Sequence, residues 1–307
     1  MDKKRCRFNL RLDSRGDLRF ECPDEHCSYG YCKFHHPTYA NSDSNKADLI
    51  ELLEQKIQQA NASGSALDLI GYKFPRDLSI SKEFKSNVRF DNAEFLGDTY
   101  FRDCTFEKDV SFSGATFSGD VDFNDTNFNE KASFERSKFK GKAGFHEVVR
   151  FDGRADFSHA EFNSGVLFYE VNFGDSSFSN ATFHGAANFT EAAFTGEAKF
   201  HKTTFLGDVS FNEGSFDRVE FIETTFNRKV HFFSDVTFRG GADFSHAEFK
   251  GGVSFSCTFD SYVSSHNATY NGEASFDGAT FNEGAALSEV SSMEYYHLPT
   301  TRLIKKL

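Results

Sequence analysis

Residues 112–134 read FSGATFSGDVDFNDTNFNEKASF, and this stretch decides the fold. Its phenylalanines stand alternately five and six residues apart, and the same alternation runs from Phe90 to Phe145. The repeat therefore has a period of eleven residues. A small residue stands two positions before most of these phenylalanines, as at Ala115 and Val121.

This pattern favours short strands over a helix. Eleven residues make about three turns of an α-helix, which would align only every second Phe, and the Gly, Asp and Asn content also disfavours a long helix. Two inward residues that stand two positions apart match the period of a strand. Gly often follows Phe by two positions in the six-residue step, as at Gly97, Gly119 and Gly141. We expect these glycines to supply corner conformations that other residues resist.

Four such strands would close one coil of about 22 residues, and successive coils would stack with strand-like hydrogen bonds about 4.8 Å apart. The segment from Phe90 to Leu287 then makes about nine coils and a rod about 43 Å long. The predicted fold is all-β, and it is a solenoid whose core is built largely from Phe.

Units such as Ala-Thr-Phe-Ser-Gly at 115–119 and Ala-Thr-Phe-His-Gly at 181–185 resemble the pentapeptide-repeat family. The resemblance covers about two thirds of the chain and implies a right-handed quadrilateral β-helix. The alternation of five with six departs from the strict family pattern, so we expect wider turns at the Gly corners. Residues 256–270, where the Phe spacing falls to four and then lapses, are expected to form a bulged or looped coil.

The composition agrees with a repeated environment, because the 307 residues include 40 Phe and no Trp. The net charge is -12. Residues 1–36 carry eight basic and six acidic residues, so the acidic excess lies in the rest of the chain, with 26 basic and 40 acidic residues. This balance argues against nonspecific binding to nucleic acid or anionic lipid.

The chain shows no apolar run long enough to span a bilayer and no secretory signal. Four of its six cysteines fall in the first 32 residues, and Cys104 and Cys257 stand alone. This is not a disulfide framework, so we expect a cytoplasmic protein.

The ends of an open stack need caps, because each exposes a hydrophobic coil and unpaired strand edges. Residues 47–60 are predicted to form an amphipathic helix, capped by Ser44 or Asn45 and followed by Gly64. The predicted organisation is a Cys/His motif at 1–40, a helix and N-terminal cap at 41–84, the β-helix at 85–287 and a C-terminal cap at 288–307. A homodimer through a capped end is compatible with this organisation.

The first 36 residues hold Cys6, Cys22, Cys27, Cys32, His26, His35 and His36. So short a segment cannot bury a core of its own, and a metal would supply the missing folding energy, with zinc the ion best suited to thiolate and imidazole ligands.

The run Gly-Tyr-Cys-Lys-Phe-His-His at 30–36 resembles the end of a small zinc motif found before the repeats in bacterial pentapeptide-repeat proteins. That resemblance implies a structural zinc ion held by Cys6, Cys22, Cys32 and His35, with Cys27 and His36 as substitutes. An alternative grouping of Cys22, Cys27, Cys32 and His36 resembles a zinc finger that binds RNA.

The repeats show no catalytic constellation: no nucleophile elbow, phosphate loop, dinucleotide fingerprint or paired carboxylates. The histidines at 159, 184, 201, 231 and 246 are expected to point outward. We therefore predict that the protein is not an enzyme but a rigid acidic scaffold for a protein partner that the sequence does not identify. The family resemblance implies an alternative, a mimic of duplex DNA that binds a type II topoisomerase such as gyrase, although Lys and Arg are interspersed through the repeats. Nucleic-acid binding through the N-terminal motif is a second alternative.

Overall fold

A computed structural model describes residues 6, 8–11, 19–22, 24, 31–286 and 296–297. Near the N-terminus, strands Asn9–Arg11 and Arg19–Glu21 pair antiparallel. Two short 3-10 helices, Tyr39–Asn41 and Asp43–Asn45, then lead into the helix α1.

Helix α1 (Lys46–Ser63) confirms the predicted helix. Asn45 is its N-cap, and it ends at Gly64, whose φ of 68° is the left-handed conformation that glycine adopts readily at a helix end. Its inner face is buried through Leu49, Leu53, Ile57 and Ala60. Within the described part of the chain, no helix is both long enough and apolar enough to cross a membrane.

The rest of the described chain winds into coils with four faces, confirming the predicted β-helix. Face 2 is a separate ten-stranded parallel sheet. Its strands are Lys73–Phe74, Glu94–Phe95, Thr116–Phe117, Lys138–Phe139, Glu161–Phe162, Thr182–Phe183, Thr204–Phe205, Thr225–Phe226, Glu248–Phe249 and Thr269–Tyr270. Face 1 precedes it in each coil and consists of Leu67–Asp68, Val88–Arg89, Val110–Ser111, Ala132–Ser133, Ala155–Asp156, Ser176–Ser177, Ala242–Asp243, Val263–Ser264 and Ala285–Ala286.

Faces 3 and 4 complete each coil. Face 3 contains Leu78–Ser79, Thr99–Tyr100, Val121–Asp122, Ala143–Gly144, Val166–Leu167, Ala187–Asn188, Val209–Ser210, Ala274–Ser275 and Tyr296–His297. Face 4 contains Glu83–Phe84, Thr105–Phe106, Asn127–Phe128, Arg150–Phe151, Asn172–Phe173 and Thr280–Phe281. Four longer strands pass around a corner: Ala193–Lys199 and Ser215–Glu220 join face 4 to face 1, and Val230–Phe238 and Val253–Phe259 join face 3 to face 4.

The core is a set of stacked aromatic columns. On face 2, each Phe lies over the Phe of the next coil, from Phe74 to Tyr270, with ring centroids 4.6–5.2 Å apart and planes within 14° of parallel. Each column also meets its neighbours edge to face, as Phe112 meets Phe123 at 5.6 Å. Both arrangements are favourable for aromatic rings, and the rings leave the interior filled.

The stack begins at Leu67, before the expected boundary at residue 85. Leu67 pairs with Val88 on the next coil, and ten such parallel pairings lead along face 1 to Ala285, which makes ten coil steps rather than nine. The first coil was missed because Leu69 and Ile80 occupy inward positions where later coils have Phe; both are buried.

The corners correct the expectation about glycine. Left-handed residues lie at the five-residue steps, and most are not glycine: Asn92, Asp103 and Asp125 all have φ near +55°. The six-residue steps use glycine for another reason. A Cβ on Gly119 would lie 2.5 Å from the carbonyl carbon of Gly97 in the coil before it. These glycines let the backbones of successive coils approach closely, and their φ values are not positive.

Irregular Phe spacings are absorbed at corners. An extra residue enters the corners at Glu147–Val148 and Ser234–Asp235, and both residues of each pair take positive φ. The expectation of a bulged or looped coil at 256–270 is confirmed for the bulge and wrong for the loop. The pairing of Val253–Phe259 with Val230–Phe238 shifts register between Phe232 and Val236, but Val253–Phe259 runs as one strand around its corner and Phe259 still stacks on Phe238 at 4.7 Å. Ser265 replaces Phe in the core and accepts a hydrogen bond from the Tyr270 hydroxyl at 3.2 Å.

Of the expected C-terminal cap at 288–307, Tyr296–His297 pairs with Ala274–Ser275 on face 3. The other residues of that segment lie outside the described part of the chain.

The glycine assignment predicts a contrast between two substitutions at the same corner. Gly141→Ala should destabilise the protein by about 1–3 kcal/mol, because its Cβ would lie 2.4 Å from the carbonyl carbon of Gly119. Gly165→Ala, one coil later, should cost little, because the nearest atom lies 3.6 Å from its added Cβ. Chemical denaturation measures both, and equal effects would contradict the close-approach explanation.

Candidate metal centre

Four side chains from the N-terminal segment meet at one point. Cys6, Cys22, Cys32 and His35 are all buried, and their ligand atoms lie within 4.8 Å of one another. The Cys22 and Cys32 sulfurs are 3.7 Å apart, and His35 Nδ1 lies 3.1 Å from Cys32 Sγ and 3.7 Å from Cys6 Sγ. The structure thus brings together the four residues that the sequence predicts as ligands.

The spacing fits a tetrahedral metal ion. Zinc–sulfur bonds of about 2.3 Å at tetrahedral angles place two sulfurs about 3.8 Å apart, close to the Cys22–Cys32 separation. Three thiols and one imidazole make a complete tetrahedral donor set, which is characteristic of structural rather than catalytic sites. A metal ion held by all four side chains would therefore have no open coordination position for a substrate.

His35 is oriented from the side of the solenoid. Its Nε2–H donates a hydrogen bond to the carbonyl of Ile70 at 2.8 Å, which leaves Nδ1 with its lone pair directed at the thiols. The Phe8 ring stacks on the imidazole at 3.7 Å. Because Ile70 belongs to the first coil, the cluster is joined directly to the end of the solenoid.

Backbone groups and thiols also stabilise the sulfur atoms. The Cys32 and Phe8 amides donate to Cys6 Sγ at 3.1 and 3.5 Å. A hydrogen bond from the Cys22 thiol lowers the pKa of Cys32 to about 5, and the same interaction raises the pKa of Cys22. The interaction favours the thiolate form of Cys32, and thiolates are the form that binds metals.

A buried polar network fastens the cluster to its surroundings. Asp24 accepts hydrogen bonds from the Tyr72 hydroxyl and, at 2.6 Å, from Lys56 Nζ of helix α1. Burial alone would raise the pKa of Asp24, but these two donors hold it below its usual value. Residues of the motif, of α1 and of the first coil thus form one unit.

The other candidate ligands do not join the cluster. His36 lies outside it, where its Nδ1 accepts a hydrogen bond from the Thr38 amide at 3.3 Å. Cys27 and His26 lie outside the described residues. The isolated Cys104 and Cys257 are buried in the core, where burial raises the pKa of the Cys104 thiol to about 12.

A second feature lies on the outer surface, where each coil turns from face 3 to face 4. Seven exposed acidic residues occupy this corner in successive coils, each with φ between +55° and +62°. We call this row the acidic ridge. It consists of Asp103, Asp125, Glu147, Glu170, Glu191, Glu213 and Asp235.

The acidic ridge is not neutralised by its neighbours. In the described structure none of the seven carboxylates pairs with Lys or Arg, and Glu147 has only His146 at 3.7 Å. Arg102, which belongs to the same corner, pairs with Asp122 instead. The basic residues at 131–142 lie on other parts of the coil: Lys138 is on face 2, and Lys131 precedes face 1. The basic residues at 131–142 are therefore separated from the ridge in space, whereas Arg102 lies in its corner and exposed Arg150 lies on face 4.

The sequence contains a signal for the ridge that we did not use. In six of the seven coils the acid stands two positions after the Phe that follows the face 3 strand, as at Phe101, Phe123 and Phe189, and Asp235 stands three positions after Phe232. Each coil contains two repeats of eleven, so a period of eleven assigns this corner and the opposite one, between faces 1 and 2, to the same position of the repeat. At the opposite corner that position holds residues such as Asn92 and His159. Only the full coil of four strands separates the two. The histidines at 159, 184 and 246 are exposed, as expected, and those at 201 and 231 are half-buried.

A known protein family matches the repeats of this chain. Residues 83–127, 149–193, 189–232 and 215–256 match the family described as pentapeptide repeats (9 copies). No curated protein is significantly similar to the chain.

Two solved structures resemble the chain at low identity. QnrB1, a plasmid-mediated fluoroquinolone resistance protein, is 17% identical over 73% of this chain and 93% of its own, with a TM-score of 0.29. HetL, a pentapeptide repeat protein involved in heterocyst differentiation regulation from the cyanobacterium Nostoc sp. strain PCC 7120, is 12% identical over 74% of this chain and 95% of its own, with a TM-score of 0.26. Neither carries a functional argument at this similarity.

The matched repeats, the period of eleven and the four-faced coil agree, and the chain belongs to the pentapeptide-repeat family.

Proposed function

We propose that this protein is a non-catalytic scaffold whose acidic ridge binds a basic surface of a protein partner. One observation carries the proposal: seven exposed carboxylates recur on successive coils without a Lys or Arg partner in the described structure. Such a row is costly to keep unless an opposing charge meets it, because aligned like charges repel.

The fold suits this task because it is rigid and regular. Neighbouring carboxylates of the ridge are separated by one coil, about 4.8 Å, and their backbones are fixed by coil-to-coil hydrogen bonds. A preorganised surface loses little conformational entropy when it binds. The field of the row would also steer a basic partner and increase its association rate.

The interior supports a non-catalytic role. The inward positions hold Phe and small residues, and buried hydroxyls such as Thr126 Oγ1 and Thr203 Oγ1 donate to backbone carbonyls at 2.6 and 2.7 Å. These hydroxyls are therefore paired with the backbone, and the buried Ser176 hydroxyl, which has no hydrogen-bond partner, is an exception among the described residues.

A second candidate is mimicry of duplex DNA toward a type II topoisomerase such as gyrase. The interspersed Lys and Arg argued against this on sequence alone. Their separation from the acidic ridge removes part of that objection, because one edge of the rod is acidic over seven coils. The scaffold remains the broader proposal, since it requires only a basic partner.

We also propose that Cys6, Cys22, Cys32 and His35 hold a structural zinc ion, which would fix the N-terminal cap to the first coil. The observations that support it are the tetrahedral spacing and the orientation of His35 by Ile70. Phe8 and Tyr72 pack against His35, so aromatic groups of this unit serve its packing, which favours a cap over a nucleic-acid-binding finger.

The scaffold proposal predicts a difference between two triple variants of equal charge. Asp125→Asn/Glu170→Gln/Glu213→Gln on the ridge should weaken a salt-sensitive partner at least about fivefold, because several charge contacts are lost together. Glu130→Gln/Asp152→Asn/Asp260→Asn, which are exposed between faces 4 and 1, should leave it bound. Quantitative capture from native lysate compares them, and equal loss of all partners in both would count against the ridge.

The topoisomerase candidate has its own assay. If the ridge imitates DNA, micromolar protein should inhibit supercoiling by gyrase, and the ridge variant should inhibit at least about fivefold less. An absence of inhibition by the wild-type protein would remove this candidate and leave the scaffold proposal standing.

The zinc proposal predicts which side chains matter. The full chain should bind one zinc ion, and Cys32→Ser or His35→Gln should lose it. Cys27→Ser and His36→Gln should retain it, because His36 lies outside the cluster and Cys27 is not needed for four ligands. Metal analysis of the purified variants measures this. Loss of metal in the second pair would instead support the alternative grouping.

A further inference from the structure

We propose that the acidic ridge has an apolar docking centre on the fourth and fifth coils of the solenoid, which takes a basic partner segment carrying an aliphatic side chain. This inference rests on the proposed function and adds the place on the rod and the chemistry of the partner. We call the centre the apolar patch and define it as Val148, Leu167 and Tyr169.

The first observation is the exposure of two aliphatic side chains at one edge. Val148 is 52% exposed and Leu167 is 45% exposed, while the third large exposed apolar residue of the described structure, Tyr262, lies between faces 4 and 1. Val148 stands four residues after Gly144 in the same coil. Leu167 belongs to the next coil, where it pairs in register with Gly144. Leu167 thus lies on face 3 of one coil, and Val148 lies at the corner that follows face 3 in the coil before it.

The second observation is the backbone at Val148. It is the extra residue of an expanded corner and has φ of +67°, in a region that β-branched residues avoid. An Asn at this position would relieve the backbone, as Asn180 and Asn267 do at equivalent conformations elsewhere. The backbone conformation of this corner therefore does not require a valine.

The third observation is what surrounds Leu167 on face 3. A Cβ added to Gly144 would be in van der Waals contact with Asn124 Oδ1 and His146 Cδ2, both at 3.5 Å, so polar side chains border the position below Leu167. Above it stands Asn188, in register with Leu167. Leu167 is thus an exposed aliphatic side chain among polar neighbours.

Charge decides what can cover this patch. Glu147, Glu170 and Glu191 of the ridge flank it, and the Tyr169 hydroxyl donates to Glu191 at 2.8 Å. A second copy of the same edge would bring like charges together, which is unfavourable. A partner segment with Lys or Arg around an aliphatic residue satisfies both the carboxylates and the exposed apolar atoms.

The test uses two labelled octapeptides of equal charge, Lys-Lys-Leu-Lys-Lys-Leu-Lys-Lys and Lys-Lys-Ser-Lys-Lys-Ser-Lys-Lys, with the full chain at physiological salt. Fluorescence anisotropy gives the two dissociation constants. The wild-type protein should bind the Leu peptide at least about fivefold more tightly, because apolar area leaves water.

Val148→Asn/Leu167→Asn should bring the two affinities together without lowering the melting temperature, because Asn accepts the left-handed backbone at 148 and continues the polar column at 167. Tyr262→Asn is the matched control and should keep the preference for Leu. A preference that survives in the double variant would overturn the patch.

The outcomes separate the patch from the ridge. Equal binding of both peptides by the wild type, lost in Glu147→Gln/Glu170→Gln/Glu191→Gln, would overturn the apolar centre and leave the ridge. Binding of both peptides that is unchanged by this triple variant would overturn the ridge and, with it, the proposal that rests on it.

Discussion

The structure depends on the in-register stacking of one coil on the next. Each Phe column keeps its rings about 5 Å apart, which matches the spacing of hydrogen-bonded strands. Backbone pairing and ring stacking therefore demand the same distance, and a residue that satisfies one also satisfies the other. This coincidence explains why a core of nearly one residue type can be well packed, although ordinary cores need mixed side chains to fill irregular space.

The same constraint determines the surface. Because each coil repeats the last, an outward position in one coil becomes a row along the rod. Rows of opposite character can then lie on different corners although their residues alternate along the chain. The acidic ridge is such a row, and the basic residues at 131–142 fall on other parts of the coil. Insertions such as Val148 and Asp235 stay at corners because the inward columns cannot shift without breaking the stack.

The N-terminal segment that carries the Cys/His cluster is stabilised in a different way. This segment is short and carries few large apolar residues, so contacts to the solenoid replace a core. His35 reaches Ile70, Tyr72 reaches Asp24, and Lys56 of helix α1 reaches the same carboxylate. The Cys/His cluster, α1 and the first coil thus support one another, and the exposed end of the first coil is covered.

Much of this architecture could be predicted from the sequence, and the failures have physical causes. The period of eleven, helix α1 and its end at Gly64 are local signals, so they were visible, whereas Asn45 makes no side-chain capping hydrogen bond. The four candidate ligands came from a family resemblance, because spacing alone left Cys27 and His36 open. The first coil was missed because Leu69 and Ile80 replace Phe there. The role of Gly119 was misjudged because contact with Gly97 one coil away cannot be seen in a local window. The ridge was missed because it appears only when the chain is folded at about 22 residues per coil.

The central claim is that stacking holds the ridge residues in one straight, evenly spaced row. Paired spin labels placed at Asp103 and Glu213, five coils apart, measure it directly by pulsed electron resonance, with labels at Asp103 and Glu170 as the shorter reference. The account predicts narrow distributions with backbone separations of about 24 and 14 Å, growing by one strand spacing per coil. Broad distributions, or separations that do not grow with the number of coils, would contradict it.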